Sequence, residues 1–367
     1  MLFAVLILAI VSGAAMHLVA AVTVREPQKL ALMNRSACLS YAERYKECQR
    51  IKSLPQDERS RYFYSLNSPF ATELVAIRAS GKNYFAEDTW LHTCSVLVES
   101  TRGQLRNVAI LVMSTQDPGQ PYHAQYRMPD EFKPFVEVFY QQDLRKLFAS
   151  PPFTSAFANG DLAFAYILKR HPEQYDFLWV VEMDLRFIGD WGQLMTYARS
   201  YGDAHVGSSL NLSTEFPLGP VDLVTFSLFE MPQSTIWWHS RQNVFGLLLE
   251  KYDDLPFRGG GWTSIWGFTR AFSDIVYKDY TIGTGSRNQD SSLPMIAAFH
   301  RRKLVEIPVN STYHCCGVQG KILYQKWITE KDLCYTNHLI HPIGNSESMF
   351  YHEFLNLGKL TNILRIR

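Results

Sequence analysis

The sequence predicts an α/β fold with a mostly parallel sheet and helices on both of its faces. Between residues 70 and 317, short apolar runs of strand length alternate with segments of helical periodicity. The runs VAILVM (108–113) and FLWVV (177–181) are apolar throughout, which is typical of strands buried on both faces. Of the 367 residues, 47% are hydrophobic and 19% are charged, so the chain can form a large core.

The predicted elements follow one another in β-α order. The strands are 73–79, 108–113, 135–140, 177–181, 221–226 and 303–309. The helices are 84–101, 157–170, 190–202, 269–277 and 290–302. Because ligands of parallel sheets bind beyond the carboxyl ends of the strands, the residues that follow the strands are the candidates for a functional site.

The segments on either side of this region have a different composition. Residues 1–24 contain no Asp, Glu, Lys or Arg, and as a helix they would reach about 36 Å, enough to cross a hydrocarbon core of about 30 Å. They are predicted as a membrane-spanning signal anchor or a cleaved signal peptide. Residues 25–69 are rich in charge and are predicted as a stem or a short helical lead-in, and residues 318–367 as a C-terminal helical extension.

Sequons and cysteines favour a lumenal body, although Arg25 and Lys29 alone would place it in the cytosol. Three Asn-x-Ser/Thr sequons begin at Asn34, Asn211 and Asn310. The six cysteines are Cys38, Cys48, Cys94, Cys315, Cys316 and Cys334. We predict a disulfide between Cys38 and Cys48, or from them to the tail cysteines, and a buried thiol at Cys94. The expected location is a Golgi or ER membrane with a lumenal body, or secretion.

Charge and hydropathy exclude two classes of protein. With 36 Lys plus Arg against 35 Asp plus Glu, the net charge is +1, whereas proteins that bind nucleic acid carry a basic excess. A single long apolar run excludes a channel or transporter with several spans.

The most specific chemical feature is a pair of carboxylates, Glu182 and Asp184, at the carboxyl end of the strand FLWVV. In a continued strand, residues i and i+2 point to the same side, and two carboxylates there repel each other unless a cation lies between them. A divalent ion held by one or two carboxylates and by phosphate oxygens is typical of nucleotide diphosphate sites. The alternative is a structural strand end at which Arg186 neutralises Asp184.

Two further candidate residues for a functional site lie late in the chain. Asp290 begins a predicted helix, where it would act either as a general base toward a hydroxyl or only as the helix N-cap. His314 follows the last predicted strand, where it would be a third metal ligand, a donor to phosphate or an ordinary surface histidine.

Five residues are candidates for contacts with a nucleotide. Arg78 and Ala79 end the first predicted strand and Ser114 follows the second, so all three would flank a nucleotide. Gly260 and Gly261 belong to a glycine triplet that allows either close approach of the backbone to a ligand or a flexible turn. Four tryptophans suit either stacking on sugar rings or the core: Trp237, Trp238, Trp262 and Trp266.

The set of motifs and their order resemble a GT-A-fold glycosyltransferase. That Rossmann-related fold opens with an alternating parallel sheet and has an acidic-x-acidic metal motif after its fourth strand. A glycine-containing loop, a Gln-Asp helix start, a strand and a late histidine then follow. A closer similarity, over about residues 70–315, is to the fungal membrane-anchored family catalogued as domain of unknown function 3405. It lies in four segments: 128–135, 171–191, 221–238 and 305–309. The sequence departs from the fold's pattern at Glu182, where the motif usually has Asp.

The resemblance implies a lumenal glycosyltransferase that moves a sugar from a nucleotide-diphosphate donor to a glycan, glycoprotein or glycolipid acceptor with the help of Mn²⁺ or Mg²⁺. It implies metal ligation by Glu182, Asp184 and His314, and catalysis by Asp290 as base. Two alternatives remain open. One is a non-catalytic carbohydrate-binding or scaffold protein on a decayed transferase fold. The other is a nucleotidyltransferase, for which residues 79–82 (ASGK) are a poor phosphate loop.

Overall fold

The structure is a computed structural model that describes most of residues 40–344. The described residues are 40–79, 87–114, 128–148, 160–171, 174–204, 219–226, 228–230, 259–261, 265–281, 289–313, 322–323, 338–341 and 343–344. Its strands are β1 Glu73–Ala79, β2 Arg106–Ser114, β3 Val136–Tyr140, β4 Phe177–Glu182, β5 Arg186–Ile188, β6 Leu223–Thr225, β7 Leu228–Glu230, β8 Gly259–Gly261, β9 Ile265–Thr269, β10 Leu304–Glu306, β11 Asn310–Tyr313, β12 Ile322–Leu323, β13 His338–His341 and β14 Ile343–Gly344. Its helices are α1 Tyr41–Arg44, α2 Lys46–Lys52, α3 Gln56–Tyr64, α4 Glu87–Thr101, α5 Gln141–Leu147, α6 Gly160–Arg170, α7 Trp191–Ala204, α8 Arg270–Thr281 and α9 Gln289–Phe299, with a 3₁₀ helix at Asp130–Phe135.

Seven strands form the central sheet in the order β10-β6-β9-β4-β1-β2-β3. Neighbouring strands are parallel except at β9, which runs antiparallel between β4 and β6. This arrangement confirms the predicted α/β class with a mostly parallel sheet. The carboxyl ends of β1, β2, β3, β4, β6 and β10 therefore lie at one edge of the sheet, which we call the carboxyl edge.

Alternation along the strands divides the core between the two faces of the sheet. In β1, Val75 and Ile77 face the core that α4 and α7 cover, whereas Leu74 and Ala76 face the core that α6, α8 and α9 cover. In β4, Trp179 and its odd-numbered neighbours lie on the first of these faces. This period of two is expected of strands that are buried on both sides.

The charged segment predicted as a stem contains three helices that pack on this domain. Ile51 of α2 and Phe63 of α3 are fully buried in the same core cluster as α4. Arg59 of α3 forms an ion pair with Glu131 at 3.0 Å, and the Trp90 indole N–H donates to the same carboxylate at 3.0 Å. Residues 41–64 are therefore bound to the domain by both apolar and charged contacts.

The disulfide prediction is wrong about the partner. Cys48 of α2 is bonded to Cys94 of α4, with 5.9 Å between their Cα atoms. Both residues are buried, so Cys94 has the predicted burial but is not a thiol. The error arose because the polar composition of 25–69 hides a small apolar face on α2 that places Cys48 against α4. Cys38 and the tail cysteines lie outside the described residues.

The C-terminal segment differs from its prediction. The parts of 318–367 that the structure describes are strands, namely β12, β13 and β14, rather than helices. β13 lies between β5 and β11 in a second, three-stranded sheet. Within the described part of the chain, no helix is long and apolar enough to span a bilayer. The apolar segment 1–24 lies outside it.

The half-buried acid Glu99 on α4 predicts a pH dependence of stability. Burial raises its pKa to about 8 from an ordinary value of 4.5, although the backbone N–H of Trp191 and the hydroxyl of Ser95, each at 2.9 Å, favour the ionised form. The folded state therefore keeps a proton that the unfolded chain loses as the pH rises above 4.5.

We expect the free energy of unfolding to fall between about pH 4.5 and 8, by at most about 1.4 kcal/mol per pH unit from this one proton. In Glu99→Gln this contribution to the slope should vanish, and the variant should be more stable than the wild type above pH 8. The measurement is urea unfolding at several pH values, with the exposed acid variant Asp57→Asn as control. An unchanged slope in Glu99→Gln would contradict the assignment.

Candidate functional site

The carboxyl edge brings together two residues that were predicted for different tasks. Arg78 of β1 and Glu182 of β4 are register partners in adjacent parallel strands, and such strands lie about 4.8 Å apart. The Arg78 Nη1 atom lies 2.7 Å from Glu182 Oε1. The side chain of Arg78 is 2% exposed and that of Glu182 is 15% exposed. The candidate nucleotide contact and the candidate metal ligand are therefore ion-paired with each other.

The second carboxylate lies in a turn. β4 ends at Glu182, and the backbone N–H of Leu185 donates to the carbonyl of Glu182 at 3.2 Å. We call residues 182–186 the acidic turn. Because the strand ends at Glu182, strand alternation does not set the direction of Asp184, and the continued strand on which that prediction rests is not present. Asp184 is half-buried in this turn.

Arg186 has a different partner from the predicted one. The alternative explanation of the acidic pair was a salt bridge from Arg186 to Asp184, but Arg186 forms a buried ion pair with Asp88 of α4 through Nη2. Its Nη1 atom donates to the carbonyls of Met183 at 2.6 Å and Leu185 at 2.9 Å. Arg186 thus binds the backbone on both sides of Asp184.

His92 is a residue of the site that was not predicted from the sequence. It is 1% exposed, and it hydrogen-bonds the backbone carbonyl of Glu182 and packs on the Trp191 ring. Burial and the Arg186 guanidinium lower the pKa of His92, so its ring is neutral. The sequence does contain a signal, because Asp88 and His92 are four residues apart and so share one face of a helix.

The topology places the start of α9, with Asp290, at the carboxyl edge. The strand after this helix, β10, is parallel to β6 and begins at the opposite edge of the sheet. α9 has 11 residues and is about 17 Å long, and it ends five residues before β10, so its first turn lies toward the carboxyl edge. The helix contributes Leu293 and Ile296 to the core on the face where Leu178 and Val180 of β4 lie. Asp290 thus belongs to the same edge and face as Glu182.

The glycine triplet forms a strand rather than a loop. β8 pairs antiparallel with β7, with Gly261 opposite Leu228, and it packs against α9. Gly261 is four residues before Ile265, which is about 14 Å of fully extended chain. Ile265 is the register partner of Val181, the residue before Glu182. Gly260 and Gly261 are buried in this strand, near the carboxyl edge.

The remaining candidates lie at or near the same edge. Ala79 is buried at the end of β1, and Ser114 ends β2 opposite Tyr140 of β3. His314 lies outside the described residues. The residue before it, Tyr313, ends β11, and the registers of the second sheet place that end beside the start of β5 at Arg186.

One tryptophan can be assigned to the core. Trp266 of β9 is 1% exposed and packs in the cluster beneath α8 and α9, so it is not a platform for a sugar. The other three candidate tryptophans lie outside the described residues.

The acidic turn supplies hard oxygen ligands of the kind that Mg²⁺ and Mn²⁺ prefer. Among the described residues, no three His, Cys, Asp or Glu side chains form a metal cluster. Glu182 would have to share its carboxylate with Arg78. This donor set fits an ion that takes one or two carboxylates and completes its coordination with phosphate oxygens and water.

The fold and the edge residues define an α/β protein with an acidic site beyond the fourth strand of its parallel sheet. A family model described as "Protein of unknown function (DUF3405)" matches residues 105–208. This stretch contains the acidic turn and two of the four similar segments, 128–135 and 171–191. No curated protein matches.

One solved structure to which the chain is similar is a crystal structure of mouse xyloside xylosyltransferase 1 in its apo form. The identity is 10%, the TM-score is 0.36, and the match covers 76% of this chain and 98% of that one.

Proposed function

We propose that this protein is a GT-A-like glycosyltransferase of the secretory pathway. It transfers a sugar from a nucleotide-diphosphate donor to an acceptor on a glycan, glycoprotein or glycolipid. The observation that carries the proposal is the acidic turn at the carboxyl end of β4, with Glu182 paired to Arg78 across the neighbouring strand at 2.7 Å. Donors in open parallel sheets bind beyond this edge.

Several residues of the carboxyl edge would together balance the negative charge of a bound diphosphate. Asp184 and Glu182, with His314 as a third ligand, would hold Mn²⁺ or Mg²⁺. When bound, such an ion offsets the negative charge that develops on the leaving diphosphate. Arg78, which is paired with Glu182 at 2.7 Å, would add a second positive charge on the same face. Ala79, Ser114, Gly260 and Gly261 would flank the nucleotide and the sugar.

Asp290 is the proposed base. It lies in the first turn of α9, where the helix dipole stabilises a carboxylate. From there it would accept the proton of the acceptor hydroxyl while that oxygen attacks the anomeric carbon of the donor. A single displacement of this kind inverts the configuration at the anomeric carbon.

The disulfide supports the proposed compartment. The Cys48–Cys94 bond joins two buried positions of the domain, and such bonds form and persist in oxidising compartments. Together with the apolar segment 1–24, it supports a lumenal domain in the Golgi or the ER, anchored or released at its N-terminus.

The test is calorimetric titration of the protein with nucleoside diphosphates in the presence and absence of Mn²⁺, followed by a screen of donor-sugar hydrolysis. We expect nucleotide binding that requires the ion, and sugar release from at least one donor. Binding of glycans with no metal-dependent nucleotide binding would favour a scaffold protein. Release of pyrophosphate from nucleoside triphosphates would favour a nucleotidyltransferase.

A further inference from the structure

A buried guanidinium, that of Arg186, binds the backbone of the acidic turn. Arg186 is 2% exposed, and its Nη1 atom binds the carbonyls of Met183 and Leu185, the residues on either side of Asp184. Hydrogen bonds from a charged donor contribute more than neutral ones. The guanidinium therefore fixes the backbone that carries Asp184.

The guanidinium is itself held by α4. Asp88, which is completely buried, pairs with Arg186 Nη2 and also accepts a hydrogen bond from the hydroxyl of Tyr41 at 2.8 Å. One turn further along the same helix, His92 binds the carbonyl of Glu182. Removing one partner of a buried ion pair leaves an uncompensated charge, so the loss of either Asp88 or Arg186 would destabilise this part of the domain.

The helices before the central sheet secure α4 in turn. Cys94 of α4 is bonded to Cys48 of α2, and Lys52 and Glu87 form an ion pair at 3.0 Å across the same two helices. Tyr41 of α1 completes the chain of contacts from residues 41–52 through Asp88 to the acidic turn.

We propose that Arg186 is a positioning residue for the acidic turn, and that Asp88 and helices α1, α2 and α4 form its support. The role in metal binding rests on the proposed function, since it assumes that Asp184 binds the ion. Partners of this kind behind a metal ligand orient it, and their loss lowers metal affinity about 10- to 100-fold. A lysine cannot replace Arg186, because its single ammonium does not reproduce the planar fork that binds two carbonyls and a carboxylate.

The test compares Arg186→Lys with Arg106→Lys in the full chain. Arg106 is a matched control, because it also forms a buried ion pair, with Glu73 at 2.7 Å, but at the opposite edge of the sheet. Both variants should lose stability. Only Arg186→Lys should increase amide hydrogen exchange in the peptide 180–188 relative to the rest of the domain, by about tenfold. It should also raise the Mn²⁺ concentration for half-maximal donor turnover by about tenfold or more.

A milder variant covers the case in which Arg186→Lys does not fold. Tyr41→Phe removes one hydrogen bond to Asp88 and keeps the ion pair, and it should change exchange in 180–188 in the same direction by about threefold. The proposal is overturned if hydrogen exchange in the peptide 180–188 changes no more in Arg186→Lys or Tyr41→Phe than in Arg106→Lys. It is also overturned if exchange in this peptide increases in an active variant whose Mn²⁺ concentration for half-maximal turnover equals that of the wild type. A wild type without metal-dependent turnover would instead refute the proposed function, and exchange alone then decides whether Arg186 positions the turn.

Discussion

Asp184→Asn should lower donor turnover by about a hundredfold or more, even at saturating Mn²⁺. Because Glu182 shares its carboxylate with Arg78, we expect Asp184 to be the main carboxylate ligand of an ion at the acidic turn. Losing it removes several kcal/mol of transition-state stabilisation, and about 1.4 kcal/mol corresponds to a factor of ten in rate. The measurement is turnover against Mn²⁺ concentration for the wild type and the variant, with thermal melts of both.

Two further variants are measured beside Asp184→Asn. Asp274→Asn changes a half-exposed acid that pairs with Lys169 on α6, and it should leave turnover and its Mn²⁺ dependence unchanged. Glu182→Asp restores the commoner acidic pair, but its shorter side chain withdraws from the buried Arg78, so it should lose both activity and thermal stability. Asp184→Asn with wild-type turnover and wild-type Mn²⁺ dependence would refute the site.

The strands in the first half of the chain were predictable, because a short continuous apolar run in a chain of this composition has few alternatives to a buried strand. β1 has the predicted bounds, and β4 extends the prediction by one residue, to Glu182. β9 was not among the predicted strands, and its direction was not predictable either. A strand buried on both faces is apolar whether it runs parallel or antiparallel to its neighbours, so the pattern of 265–269 contains no information about its direction.

The position of the candidate site along the chain was predictable, but the ion pairs that its residues form were not. That Glu182 and Asp184 end a central strand follows from the run FLWVV. That Glu182 faces Arg78 depends on the register of two strands 104 residues apart, which no local pattern encodes. Asp88 and His92 were not predicted for a related reason. Polar residues on a helix are expected to face solvent, and these are buried because the acidic turn supplies their partners.

The pairing of distant strands also leaves no room for a side chain at Gly267 of β9. A Cβ atom at this position would lie 2.6 Å from Trp179 Cζ3 and 2.7 Å from Phe177 Cε1, both on the neighbouring strand β4. Neither ring can withdraw easily. Trp179 is fully buried and donates its indole N–H to Glu73 at 2.9 Å, and Phe177 is covered by the guanidinium of Arg199 at 4.0 Å.

Gly267→Ala should therefore lower the free energy of unfolding by about 3 kcal/mol or more, the upper range for an overpacked core. Gly103→Ala is the matched control. Gly103 follows α4 with a φ of 81°, and a Cβ atom there would meet no atom within 4 Å, so its cost is only that of the left-handed backbone, about 1 kcal/mol. The measurement is the urea midpoint of both variants. Equal midpoints for Gly267→Ala and the wild type would show that β4 and β9 are not packed in this register, and the placement of Ile265 beside the acidic turn would then fail as well.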